Sequence, residues 1–483
     1  MLKLLRQRLS LRNTHRDTET ERSQVRMMVQ LVLLYKAPLL HASLSLFLAF
    51  FIAFFRLPIL FLYALQTYIH PDAQPSTSNG LRAAIRRPSA PEGPAPDLRK
   101  RSKNKDKLDF DEKNAQIFRL RLDHAHLQSR LYIDQYCVAF TVSFVTLSSL
   151  FLHSYLGSDT NSGFFVSGAF VPILLSSLSL YMWVMMLARL TFERSASRRS
   201  EKQLSVLFGI FGIFVGILGL DHTSSLLLDL HFAGLDGFWK VLFALFMKFL
   251  SLVLFISAAR IARSFWLGTD QIRCNLSMIT CGWFGRTILY ANQLFVIFTA
   301  LIWIKPLAEI FVNNSNFNNN NSKGGSEVGN AEKLLGNLGF SPSDFGNFRW
   351  WCLFGSSLLQ IVALRPSLQM YLNEALLSWY QRLHASKVPD LDYSRAKMFL
   401  HNHYLCLVVL QFLGPPVLVL LFLGLSQIDV PSIANLPLLS DLLPSSTLVK
   451  GVALFLSWWI TFLYAIFSSV MLLLHRHCVL YIS

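Results

Sequence analysis

The sequence predicts an all-α, polytopic membrane bundle of about nine spans, and three observations predict it. Hydrophobic residues make up 53% of the 483-residue chain and charged residues only 15%, with a mean hydropathy of +0.42. A soluble domain carries about 25% charged residues, so an ordinary cytosolic enzyme and a disordered chain are both excluded. The apolar residues are gathered into stretches of about the 20 residues that a helix needs to cross a bilayer. Finally, Lys and Arg alternate between rich and bare loops, as expected when successive loops fall on opposite sides of a membrane.

The elements follow in chain order. Residues 1–36 form a basic N-terminal extension with eight Lys or Arg. The first membrane segment, 37–69, has an apolar core from Leu39 to Ile69, interrupted at Arg56 and Pro58. Leu39–Phe55 is just long enough to span, whereas Leu57–Ile69 is too short and is expected in the interface. No small-residue cleavage site follows, so a signal peptide is not expected. Residues 70–131 are a basic cytoplasmic loop with thirteen Lys or Arg from position 67 on, and Asp109–Arg130 reads as a polar helix with Ile117, Leu120 and Leu127 on one face. Residues 132–483 hold eight further spans, approximately Tyr132–Leu156, Gly163–Leu190, Leu204–Leu220, Phe238–Ala262, Thr287–Ile304, Trp350–Leu372, Leu400–Leu425 and Leu448–Leu474. Open strands are excluded at that depth, because their backbone groups would go unpaired in lipid.

Loops 191–202, 263–286 and 375–399 carry several basic residues each, and loops 157–162, 221–237 and 427–447 carry none. The rich loops and the C-terminus are therefore expected in the cytoplasm. Nine spans then put the N-terminus outside, against its eight basic residues. Either Leu39–Ile69 is a re-entrant hairpin, or the basic tail is processed or translocated. The Asn-rich loop 313–348 falls on the outer side, where Asn313 and Asn320 each open an N-x-S sequon and are candidate glycosylation sites. Asn275 also fits but lies on the expected cytoplasmic side.

The net charge of +16 points to anionic lipid headgroups at the basic loop as a partner, beside the lipid bilayer itself. Nucleic acid is not an expected partner, because no RNA or DNA module frames the basic stretches. The six cysteines form no C-x-x-C and call for neither zinc nor a disulfide. No cofactor is expected.

Ionisable and amide groups inside spans are the best pointers to function, since a charge at the centre of a span costs roughly 2.5–3.5 kcal/mol. Lys248 lies mid-span and should find an acceptor, with Asp134, Glu309 and Glu374 as candidates. Lys240 and Arg260, near the ends of the same span, are expected to snorkel. Lys305 pairs by spacing with Glu309. Arg365, Gln369, Asn373 and Gln411 complete the candidate polar site. Gly414-Pro415-Pro416 should kink or break its span. The His-x-His pairs 124/126, 401/403 and 475/477 make poor metal ligands, because residues i and i+2 point about 200° apart on a helix. Arg86-Arg87-Pro88-Ser89 makes Ser89 a candidate phosphorylation site, where added negative charge would oppose adhesion to anionic lipid. No nucleotide-binding, hydrolase or metalloprotease motif is present and few acids fall within the spans, so an enzyme is not expected.

An ordered series of short motifs occupies the C-terminal half. It runs Leu301-Ile302-Trp303-Ile304-Lys305-Pro306, Arg349-Trp350, Arg365-Pro366-Ser367-Leu368-Gln369-Met370-Tyr371-Leu372-Asn373, His403-Tyr404-Leu405-Cys406, Leu410-Gln411-Phe412 with Pro415, and Leu456-Ser457-Trp458-Trp459-Ile460. With Lys240 and Arg260 upstream, the series resembles the transmembrane protein 161 family. The N-terminal extension, the Asn-rich loop, Lys248 and the doubled Pro415-Pro416 depart from that family's pattern. The resemblance implies no enzyme activity, cofactor or transported substrate. It implies instead a regulator or organiser of membrane transport, associated with potassium and calcium currents and with stress protection. A membrane-protein partner would follow from that role. A channel or transporter is the competing expectation, with a water-lined path flanked by Lys248 and Gln411. Insertion at the endoplasmic reticulum makes that compartment, another endomembrane or the plasma membrane the expected location.

Overall fold

The structure is a computed structural model. It describes residues 27, 34–69, 85–86, 109–110, 118–156, 168–193, 199–220, 238–269, 281–311, 341–383, 391–428 and 446–477. Asn313, Asn320 and Ser89 lie outside the described residues.

The chain opens with α1 (Lys36–Phe54), whose exposed Phe47, Phe50 and Phe54 suit a lipid-facing helix. Arg56 then takes a left-handed φ of 49°, and Pro58 sits in the first turn of the short α2 (Leu57–Leu62). Strand β1 (Gln66–Ile69) follows, then the two-residue β2 (Ile85–Arg86) and β3 (Asp109–Phe110), and β4 (Phe118–Arg121). Helix α3 (His124–Gln128) is capped by Asp123, which accepts from the His124 backbone N–H at 2.7 Å. The remaining helices are α4 (Ile133–Leu156), α5 (Phe170–Phe192), α6 (Arg199–Leu220), α7 (Phe238–Thr269), α8 (Trp283–Leu301), α9 (Lys305–Phe311), α10 (Pro342–Leu383), α11 (Leu391–His403), α12 (Leu405–Leu425) and α13 (Ser446–Arg476).

The all-α bundle is as expected; the exact count of nine spans is not confirmed, and two elements differ from expectation. Among the described residues seven helices are long and apolar enough to cross a membrane: α1, α4, α5, α7, α8, α12 and α13. The other two expected spans, Leu204–Leu220 and Trp350–Leu372, are helical parts of α6 and α10. In α10 the run is diluted by Gln360, Arg365 and Gln369. The first differing element is Asp109–Arg130, which is not one polar helix. Part of it is β4, antiparallel to β1 in the register Gln66↔Arg121, Thr67↔Leu120, Tyr68↔Arg119, Ile69↔Phe118. The second is the span holding Pro415 and Pro416, where α12 runs unbroken as one helix. Prolines remove two of its hydrogen bonds, but every residue from Leu405 to Leu423 is buried by α4, α5, α7, α10 and α13.

Helix α1 runs antiparallel to α4. His41 near its start meets Ser149 near the end of α4 (Oγ to Nδ1, 3.3 Å), while Tyr136 near the start of α4 donates to the Pro58 carbonyl at 3.0 Å. The first segment therefore crosses alongside α4 rather than turning back as a hairpin.

Close helix approach is set by small residues, as is usual where lipid supplies no hydrophobic drive between helices. A Cβ added at Gly414 would lie 3.0 Å from Leu187 of α5, and one at Gly424 would lie 2.7 Å from Leu150 of α4. Trp183 of α5, fully buried, donates its indole N–H to Ser143 of α4 at 2.7 Å.

Candidate functional site

One end of the bundle carries the polar chemistry. It is the end where β1 and β4, the start of α8 and the junction of α10 with α11 meet. Strand β1 pairs with β4 on one edge only. An unpaired edge next to a membrane is costly, because its N–H and C=O groups need partners. Side-chain amides supply them. Gln369 of α10 accepts from the Gln66 N–H at 2.9 Å and donates to the Gln66 carbonyl at 3.0 Å, as a neighbouring strand would. One turn on, Asn373 accepts from Gln369 at 3.0 Å and from the Tyr68 hydroxyl at 3.2 Å. Asn402 of α11 donates to the Tyr68 carbonyl at 3.0 Å and accepts from the Thr67 hydroxyl. Arg365 donates to the Tyr63 carbonyl at 2.9 Å.

Beside this network Glu374 is buried at the turn after Asn373. Its carboxylate lies 3.7 Å from Arg263 of α7, 3.7 Å from Lys397 and 4.0 Å from His401 of α11. Burial raises the carboxyl pKa, but Arg263, His401 and Lys397 together outweigh it and hold Glu374 well below the usual carboxylate range. His401 bonds the Lys397 carbonyl through Nδ1 at 2.9 Å and stacks on Tyr371 with centroids 4.7 Å apart. With Nδ1 donating, Nε2 can donate toward Glu374 only in the imidazolium form.

A second polar tie lies deeper. Arg260 of α7 and Gln411 of α12 are both buried, and the guanidinium donates to the amide oxygen at 2.6 Å. Arg260 is thus no snorkelling residue: α7 continues to Thr269, which keeps it away from the helix end.

The structure brings Gln369, Asn373 and Arg365 together around one cavity of about 260 Å³. It sets Gln411 apart, with Arg260. Lys305 opens α9 elsewhere, half-buried, and the Glu309 side chain is outside the described set. Lys248 is half-buried on α7 and makes no hydrogen bond or ion pair among the described residues. Neither Asp134 nor Glu374 is its partner, since Glu374 is held by Arg263, Lys397 and His401. The His401/His403 pair diverges, with His401 on Glu374 and His403 stacked on Phe399. Nothing in the sequence pointed to the β1–β4 pair, and the loop charges placed Arg263 in the basic loop 263–286, whereas Arg263 lies within α7.

Among the described residues seven long apolar helices, one of them the buried α12, mark an integral multi-pass membrane protein. Residues 222–427 match the family model described as predicted transmembrane protein 161AB, the family that the ordered motifs resemble. The matched stretch contains Arg260, Arg263, the α10 network, Lys397, His401 and Gln411. No solved structure matches the chain.

Proposed function

We propose that this protein is a non-enzymatic regulator or organiser in its membrane, modulating ion transport that other membrane proteins carry out. The observation that supports this most is the sealed centre of the bundle. Helix α12, the natural wall of any central path, is buried along its length, and Gln411, its polar side chain, is taken by Arg260. A conducting path would need polar groups left open to water. Glu374 likewise faces Arg263, Lys397 and His401 rather than a vestibule. Glu374, Lys397 and His401 act in this reading as structural ties, not as acid–base chemistry.

The test is ion flux through purified full-length protein in liposomes, with potassium or calcium as the ion. The expected result is flux no greater than in protein-free liposomes. Flux that rises with protein and changes in Gln411→Leu would overturn the proposal and make the protein a channel or transporter in its own right.

A further inference from the structure

The cavity beside Gln369 has a composition that the transport reading leaves unused. Its polar lining is formed by Arg119 of β4, Arg365, Gln369 and Asn373 of α10 and Gln66, and among the described residues no carboxylate lines it. Gln369 and Asn373 are already spent on β1 and on each other. What remains to offer is donors only. Arg119 makes no contact with an acid among the described residues, and Arg365 uses Nη2 on Tyr63, with the rest of its five-donor fork open. Both are exposed. The first turn of α8 adds N–H groups, since its N-cap is Gly282, which lines the cavity and has no side chain to cap them.

Two arginines with an uncapped helix start favour an anion with several acceptor oxygens. The lining also holds the apolar Leu65, Pro366 and Met370. Depth is fixed by the aromatic residues at the rim. Trp283 and Phe284 follow Gly282 and are 81% and 69% exposed, and Tyr63 is 49% exposed. Aromatic residues at a span end mark headgroup level. Ligand pockets generally run to about 300–1,000 Å³, so a cavity of about 260 Å³ suits a headgroup rather than a whole lipid.

We propose that this cavity binds the phosphate of an anionic phospholipid, with Arg119 and Arg365 facing the phosphate oxygens and the apolar lining residues facing the glycerol end. Basic pockets between helix ends on the cytoplasmic side are a known way of holding such headgroups. The site is distinct from general adhesion of the basic loop, because it needs a particular arginine and a particular space. It is also independent of the transport reading.

The test is native mass spectrometry of the full-length protein in non-ionic detergent. Probes are phosphatidylglycerol, phosphatidylcholine of equal chain length, and inorganic phosphate. Wild type should retain one phosphatidylglycerol about tenfold more tightly than phosphatidylcholine, whose choline ammonium offsets the charge of the same phosphate beside two arginines. Arg119→Gln should weaken phosphatidylglycerol about tenfold and remove most of its preference over phosphatidylcholine. Gly282→Leu should do the same by filling the space. A Cβ there meets no atom within 4 Å, and its φ of −57° suits any residue, so this variant decides the matter if Arg119→Gln does not fold. Equal retention of the two lipids, or wild-type phosphatidylglycerol binding in the folded variants, would overturn the proposal. Displacement of the lipid by equimolar inorganic phosphate would overturn the lipid assignment and leave a soluble phosphate as the occupant.

Discussion

Arg260 and Arg263 stand one turn apart on α7, yet they are held in opposite ways. Arg260, the deeper, meets a neutral amide on α12 at 2.6 Å. Arg263, nearer the helix end and with 20% of its side chain exposed, meets a carboxylate on α10 that Lys397 and His401 also approach. The difference teaches how depth selects partners. Burying two full charges costs more than Coulomb attraction returns unless further bonds satisfy them. An amide acceptor needs less desolvation. Near the headgroups water is closer, and a carboxylate shared by several cations becomes tolerable.

The comparison breaks most readily at Glu374. Glu374→Ala leaves Arg263 and Lys397 facing each other without their shared anion, and should cost about 3–5 kcal/mol in thermal unfolding of the purified protein. A loss below about 1 kcal/mol would put this cluster in the class of weak surface pairs. At the deeper tie, Gln411→Leu should cost about 1.5–3 kcal/mol, the worth of a hydrogen bond to a charged group. Adding Arg260→Leu should recover part of that loss, which a double-mutant cycle measures directly. Third comes Gln369→Leu, which strips both backbone groups of Gln66 of partners at about 1–3 kcal/mol. Its signature is faster hydrogen exchange at the Gln66 amide, with the Gln411 region unchanged.

Acid sharpens the contrast, because only one tie contains a carboxylate. The folded pKa of Glu374 lies well below its ordinary value of 4.5. A depressed carboxyl contributes stability that is fully present above the unfolded pKa and is lost as pH falls through the folded one. Stability owed to Glu374 should therefore hold from neutral pH down to about 4.5 and fall away below it. Glu374→Gln should flatten that acid limb, and Gln411→Leu should leave its shape intact. The smallest effect belongs to Lys248: Lys248→Met should stay within about 0.5 kcal/mol of wild type, as for a site with no partner to lose.

These contrasts also mark what could be read from the sequence. Gln369, Asn373, Arg365 and Gln411 stood out because polar groups inside apolar runs are expensive and rare. Their partners did not, since pairing across about 150 or 300 positions leaves no local trace. Lys248 drew the most attention for its central position, but centrality in sequence does not say which way a helix face points. The β1–β4 pair was hidden for a different reason. Four residues are too few to show a period of two, and the Leu120–Leu127 spacing mimicked a helix face. Arg260 was misplaced because the apolar run stops before the helix does.

The amide of Gln369 has a consequence for how the protein is made. It stands 303 residues after the strand whose edge it completes. At translation rates of about 5–20 residues per second, the Gln66 strand leaves the ribosome roughly 15–60 s before its second partner exists. During that interval the first helices are already seated against the membrane with a raw edge at its surface. Completion of this corner is therefore a late event in biogenesis. A nascent chain stopped short of α10 would present that edge to whatever quality control patrols the membrane.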